Sequence, residues 1–294
     1  MKLLLGLVFC ITSQAQFLPF PGAAVNAHGA VSSYIGPGNI VSGALFWGGL
    51  RAYSAATAGS RAANVCNAAD ANCVDVQTLA SGDFDLATAM AAPLSCTDDA
   101  CTIKILYDQS GQTNCGASCD FSQATIAKRP TLKFNCFGGK PCLHYAGAQE
   151  LQSPYGVVNQ AQPWTYSAVG ERTSGTAYGS ILDGSNTWIK FGNHATQVDM
   201  EGGVVLASYV SAEGAPHAFL FIGNGSSSVN ISDGTSTAGN AGTNAWSAIL
   251  GVGDSPYGGA ALIGYISEVG GWGIAFSGPQ QSSMNTNLRT YYGF

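Results

Sequence analysis

Charge is what this chain has least of. Lys and Arg together number 11 and Asp and Glu 17 in 294 residues, a tenth of the sequence, for a formal net charge of −6. Without basic clusters it carries no electrostatic footprint for phosphates, which excludes nucleic acid as a partner. Beyond the first residues no apolar run approaches the length of a membrane-spanning helix, so no membrane span is predicted. The histidines, His28, His144, His194 and His217, are scattered without H-E-x-x-H or H-x-H spacing, so zinc hydrolysis is unsupported and no metal is expected. There is no G-x-S-x-G elbow, phosphate-binding loop or dinucleotide fingerprint. That removes α/β-hydrolase, nucleotide and nicotinamide chemistry and leaves no cofactor.

What is present begins with an export signal. Lys2 supplies a positive start, Leu3 to Ile11 is apolar but short, and Ser13-Gln14-Ala15 places small residues before Gln16, so residues 1–15 read as a signal peptide. The mature protein is therefore expected outside the cytoplasm: secreted, periplasmic or at the cell surface. Of the nine cysteines, only Cys10 falls in that leader. The others form close pairs, Cys66/Cys73, Cys96/Cys101, Cys115/Cys119 and Cys136/Cys142, which in an exported protein read as local disulfides. Their spacing matches no standard zinc finger.

Residues 16–44, rich in Gly, Ala, Pro and Ser without a period, read as an irregular lead-in. Residues 45–294 read as one domain. Asp85–Ala92 is a short helix candidate stopped by Pro93, and Pro279–Tyr292 a terminal one with proline in its first turn. Between them lie short β-branched or aromatic runs separated by Gly, Asn, Asp and Ser: Thr102–Tyr107, Thr131–Asn135, Trp164–Val169, Thr187–Phe191, Val204–Val210, His217–Ile222, Ala245–Val252 and Leu262–Val269. Many short strands with regular turn signals predict an all-β sandwich or jelly roll. A low-charge, glycine-rich chain of that kind suits a neutral polymer, and carbohydrate is the obvious class.

Most carboxylates sit in turn contexts, among them Asp70, Asp98, Asp99, Asp183 and Asp233. Asp199-Met200-Glu201 differs, because residues i and i+2 of a strand share one face. Two carboxylates on one side of a sheet, followed by Gly202 and Gly203, make a candidate acid–carboxylate pair. Asp254 caps an apolar strand in a glycine-rich turn and is a second candidate. Glu268, inside a strand, reads as a half-exposed face residue. Glycoside hydrolysis needs two carboxyl groups flanking the bond, which Asp199/Glu201 and Asp254 offer. Trp47, Trp164, Trp188, Trp246 and Trp272 are candidates for a sugar-stacking platform or for core. Asn224-Gly225-Ser226 and Asn230-Ile231-Ser232 fit the N-glycosylation pattern.

These motifs, in order, resemble the α-L-arabinofuranosidase B catalytic domain, glycoside hydrolase family 54. Cys96-x4-Cys101 running on to Tyr107-Asp108-Gln109-Ser110-Gly111 is similar to its C-x4-C…Y-D-Q-S-G segment, and Leu50–Ser54 to its early R-A-x-Y-S strand. Asp199–Gly203 resembles its D-x-E-N-G, and Ile249–Asp254 its I-L-G-x-G-G-D. The resemblance implies a concanavalin A-like β-sandwich and a retaining, exo-acting glycosidase on arabinofuranosyl-bearing glycans. It makes Glu201 the nucleophile and Asp254 the general acid/base, and it sets Asp199, Gly202 and Gly253 against the sugar. The chain has no adjacent Cys-Cys pair and carries Gly202 where the family has Asn. Those departures motivate an alternative, a lectin-like or adhesion module without catalysis.

Overall fold

The computed structural model describes residues 34–113, 115, 119–153, 160–174, 178–185, 187–192, 196–209, 213–246 and 249–294. The expected signal peptide and most of the lead-in lie outside the described residues. Everything described belongs to one compact unit.

In chain order come α1 (Pro37–Ile40), β1 (Phe46–Gly49), β2 (Arg61–Cys66), β3 (Cys73–Gln77), α2 (Leu86–Met90), β4 (Thr102–Leu106), β5 (Phe121–Ser122), β6 (Thr131–Lys133), β7 (Cys142–Ala146) and β8 (Leu151–Ser153). They are followed by β9 (Trp164–Arg172), β10 (Gly179–Asp183), β11 (Trp188–Phe191), β12 (Gln197–Glu201), β13 (Val205–Tyr209), β14 (His217–Gly223), β15 (Ser228–Ser232), β16 (Thr235–Gly239), β17 (Leu250–Val252), β18 (Ile263–Trp272) and α3 (Gly278–Tyr292).

All strand pairings among the described residues are antiparallel and fall into two layers. One runs β3-β2-β4-β5-β8-β17-β10-β11-β12-β13. The other runs β16-β15-β14-β9-β18, with β7 and β1 sharing the far edge of β18 and β6 beyond β7. A single pair, Thr102 with Thr131, joins β4 to β6 and makes the sandwich continuous at one side.

The second layer is buried on both faces at its centre, in β9, β14 and most of β18, while its edge strand β16 is exposed. Phe219 and Phe221 of β14 enter the inter-sheet core with Phe46, Phe121, Met200 and Val252, while Leu220 and Ile222 face Met284 and Leu288 of α3. That is why His217–Gly223 is apolar without alternation. The first layer is less covered on its outer face, although β10 and β17 are buried throughout, and in β12 Val198 and Met200 lie in the core while Asp199 and Glu201 lie on the other face. The helix α3 begins with a capping box in which the Ser277 N–H donates to Gln280 Oε1 at 2.9 Å, and it ends at Gly293 with φ 73°.

The four cysteine pairs are bonded as Cys66–Cys73, Cys96–Cys101, Cys115–Cys119 and Cys136–Cys142. Several expectations need correction. Of the described residues of Ala245–Val252 only Leu250–Val252 are strand, and Trp246 instead forms a bridge with Gln160. Arg51–Ser54 lies outside any strand, since β1 ends at Gly49. Glu268 is 1 % exposed, not half-exposed, because Arg51 and Tyr292 of α3 close over it. Its carboxylate accepts from Arg51 at 2.5 and 2.8 Å and from the Tyr292 hydroxyl at 2.9 Å. Asp183 is the buried last residue of β10 rather than part of a turn, which starts only at Gly184.

Candidate active site on the open sheet face

Cross-strand register assembles the site. Glu201 stands opposite Trp188, and Trp188 opposite Asp183. Asp183 in turn stands opposite Gly251, and Gly251 opposite Gln152. Directly opposed residues project to the same face, so these positions form one row across β12, β11, β10, β17 and β8. Two residues along the strands, Asp199 stands opposite Lys190 on that same face.

Charge is concentrated here. Lys190 Nζ is 2.7 Å from Asp183 Oδ2 and lies over the Trp188 ring at 4.3 Å from its centroid. Ser180 Oγ donates to Asp183 Oδ2 at 3.2 Å. Asp199 is buried, and Gln197 Nε2 donates to its Oδ1 at 2.5 Å. Glu201 is half-buried and takes no hydrogen bond from the described residues. Burial raises its carboxyl above the ordinary range; Lys190 draws it down, and Asp183 and Asp199 push it further up.

Asp254 follows β17 in a turn that folds back over the same face. A Cβ on Gly251 would lie 2.5 Å from the Asp254 carbonyl oxygen and 2.6 Å from Pro256 Cδ, so only glycine admits this return. Gly253, at φ +87°, lies so close to the Tyr145 ring that a Cβ would be 1.9 Å from Cε1. Asp254 Oδ1 accepts from the N–H groups of Ser255 at 2.7 Å and Ala260 at 3.3 Å, leaving Oδ2 without a partner among the described residues. Burial raises this carboxyl too; the two N–H donors and Lys128 lower it, and Glu150 raises it.

Three strand spacings separate the row positions of Glu201 and Gly251, about 14 Å at about 4.8 Å per strand. The charges acting on Glu201 are Lys190, Asp183 and Asp199, and those acting on Asp254 are Glu150 and Lys128. Gly202 shapes the turn that carries Glu201: its N–H donates to Ala241 and its carbonyl accepts from Asn244, each at 2.7 Å. Gln162 Nε2 fills the space 2.9 Å from where a Cβ would be.

Of the tryptophans, Trp47, Trp164, Trp246 and Trp272 are fully buried core, and Trp188 alone among the five is partly exposed. Sequence reasoning missed Lys190 and misread Asp183. The signal for Lys190 is the alternation Trp188-Ile189-Lys190-Phe191, whose outward members Trp188 and Lys190 sit opposite Glu201 and Asp199 respectively once the hairpin forms. The Tyr107–Gly111 motif lies elsewhere and stitches segments together. Gln109 donates to the carbonyls of Gly49 at 2.9 Å and Arg51 at 3.0 Å, and accepts from the Tyr53 N–H at 3.1 Å. Asp108 accepts from the N–H groups of Trp47 at 2.8 Å and Ser110 at 3.0 Å.

This is a disulfide-bonded antiparallel β-sandwich with carboxylates on an open sheet face. No family model matches the sequence, and no curated protein matches it. Among solved structures, 88 % of the chain resembles an arabinofuranosidase complexed with arabinofuranosyl-α-1,2-xylobiose, at TM-score 0.66 and 12 % identity, over 65 % of that chain. It resembles equally a glycoside hydrolase family 54 α-L-arabinofuranosidase soaked with a cyclic sulfate inhibitor, at TM-score 0.64 and 13 % identity, over 66 % of that chain. A glutamate-to-glutamine variant of such an enzyme, soaked with 4-nitrophenyl α-L-arabinofuranoside, gives 0.63 and 13 %, again over 66 %. The chain thus shares the fold of these enzymes and spans about two thirds of their length.

Proposed function

We propose that this protein is an exported glycoside hydrolase that removes α-L-arabinofuranosyl groups from a glycan with retention of configuration. The observation that carries the proposal is Glu201: a half-buried carboxylate without a hydrogen-bond partner among the described residues, on the open face of a sandwich whose structural neighbours are arabinofuranosidases. The disulfides support an oxidising compartment.

In this reading Glu201 attacks the anomeric carbon, forming a glycosyl–enzyme ester as the glycosidic C–O bond breaks. Asp254 gives its proton to the departing oxygen, and its burial, which raises the pKa, favours the protonated form that this step needs. Water then delivers its oxygen to the anomeric carbon and its proton to Asp254, releasing arabinose and restoring both carboxyls. Asp199 accepts from sugar hydroxyls, while Gly202 and Gly253 let the flanking turns close on the ring. Retention calls for carboxyls about 5–5.5 Å apart, whereas a separation of about 6.5–9.5 Å gives inversion.

The wild type should release 4-nitrophenol from 4-nitrophenyl α-L-arabinofuranoside, and the first sugar formed should be the α-anomer by proton NMR. Glu201→Gln should abolish release with unfolding still cooperative. Absence of turnover by the wild type on any furanoside overturns the proposal. The separate charged surroundings of Glu201 and Asp254 favour a second reading, a carbohydrate-binding module without catalysis. Its signature is glycan-array binding with no hydrolysis.

A further inference from the structure

The row of outward positions does not stop at Gln152. Gln152 stands opposite Ser122, Ser122 opposite Ile105, Ile105 opposite Asn64 and Asn64 opposite Asp75. One sheet face therefore runs from Glu201 to β3. Its far end opens into a cleft of about 760 Å³ between β2, β3 and the segment following β4. Tyr107 and Arg61 form a plate there, with the guanidinium carbon 4.3 Å from the ring centroid. Asp75 holds both: it accepts from the Tyr107 hydroxyl at 2.7 Å and from Arg61 at 3.4 Å, with Asn64 donating at 2.7 Å. Beside the plate, the side-chain amides of Gln77 and Gln112 line the cleft and make no hydrogen bond with the described residues.

The exposed guanidinium plane of Arg61, which covers the 8 %-exposed Tyr107 ring, has uncommitted amides beside it and the carboxylates of Asp108 and Asp120 in the same lining, a set that suits a neutral polyhydroxylated ligand rather than an anion or an apolar one. From the row position of Glu201 to β4 is six strand spacings, about 29 Å at about 4.8 Å each, so a ligand that reaches both places is an extended polymer lying along the face. We infer that this cleft is an accessory site for the main chain of a neutral polysaccharide whose arabinofuranosyl branch enters beside Glu201. The assignment of the branch rests on the proposed function; the binding of a neutral glycan in the cleft does not.

The experiment uses the full chain, Gln77→Ala/Gln112→Ala as the cleft variant, and arabinoxylan and arabinan as probes. If the site is real, the variant keeps wild-type kcat/KM on 4-nitrophenyl α-L-arabinofuranoside but loses about tenfold on polymer, the order that removing two hydrogen bonds produces. In parallel, affinity electrophoresis through polymer-containing gels is run on Glu201→Gln with and without the cleft substitutions. Retardation lost only with the cleft substitutions supports the site even where the wild type hydrolyses nothing, an outcome that would sink the glycosidase proposal alone. Equal retardation with an intact cleft and with the substitutions, equal kcat/KM on polymer, or no retardation of any variant overturns the inference.

Discussion

Lys190→Met should be among the most damaging single changes on the open face. Lys190 Nζ and Asp183 Oδ2 are 2.7 Å apart, with side chains only 12 % and 2 % exposed, so solvent screens the pair little. Removing the cation leaves a buried carboxylate supported by Ser180 Oγ at 3.2 Å. Breaking a buried pair in this way costs about 3–5 kcal/mol. Asp183→Asn removes the other charge but leaves Lys190 opposite Asp199, so its cost should be smaller. The double variant should recover much of the loss, giving a coupling of about 1–3 kcal/mol in a double-mutant cycle. Urea unfolding of the four proteins at pH 7 measures all of this. Lys190 is also the charge that draws the Glu201 carboxyl down, so its removal should move the acid limb of the kcat/KM profile to higher pH. A loss below about 1 kcal/mol, the range of an exposed pair, would refute the reasoning.

Glu201→Gln should stabilise the protein at neutral pH. The folded-state pKa of Glu201 is raised, so its contribution is full below the ordinary carboxylate value and is lost as pH rises through the folded value. The variant escapes that loss, and its advantage in melting temperature should grow as pH rises from about 4 through the folded value and then level off; a constant difference across that rise would contradict it. Gly253→Ala should cost about 2–5 kcal/mol by urea unfolding, from a positive φ together with the collision with Tyr145. In a glycosylating host, peptide mapping should find glycan at exposed Asn224 and none at Asn230, which is fully buried and donates to the carbonyls of Val198 at 3.2 Å and Leu206 at 3.1 Å.

Where burial is one-sided the sequence is readable. The alternation in Gln197–Glu201 tells core from open face, and the unbroken apolar run of β14 marks a strand covered on both sides. Glu268 defeats this logic because its partner Arg51 is 217 residues away, and a carboxylate in a strand looks solvated until that partner is placed. Asp183 fails for a local reason: the Asp-Gly-Ser sequence that begins there signals a turn, and the ion pair with Lys190 outweighs it. β5 and β8 are two and three residues long, too short for periodicity, and are held by their neighbours.

The open face as a whole lies beyond such reading. Its row passes from β12 through β11 and β10 to β17, then back to β8, β5, β4, β2 and β3, joining residues as distant in sequence as Asp75 and Glu201. Strand order of this kind is set by long-range pairing. The motif Asp199-Met200-Glu201 therefore points to a carboxylate site, while the substrate that site can reach depends on which strands are brought beside it. The polar side chains of β3, β4 and β8 carry no functional signal in their own segments, and acquire one only as the continuation of the face that bears Glu201.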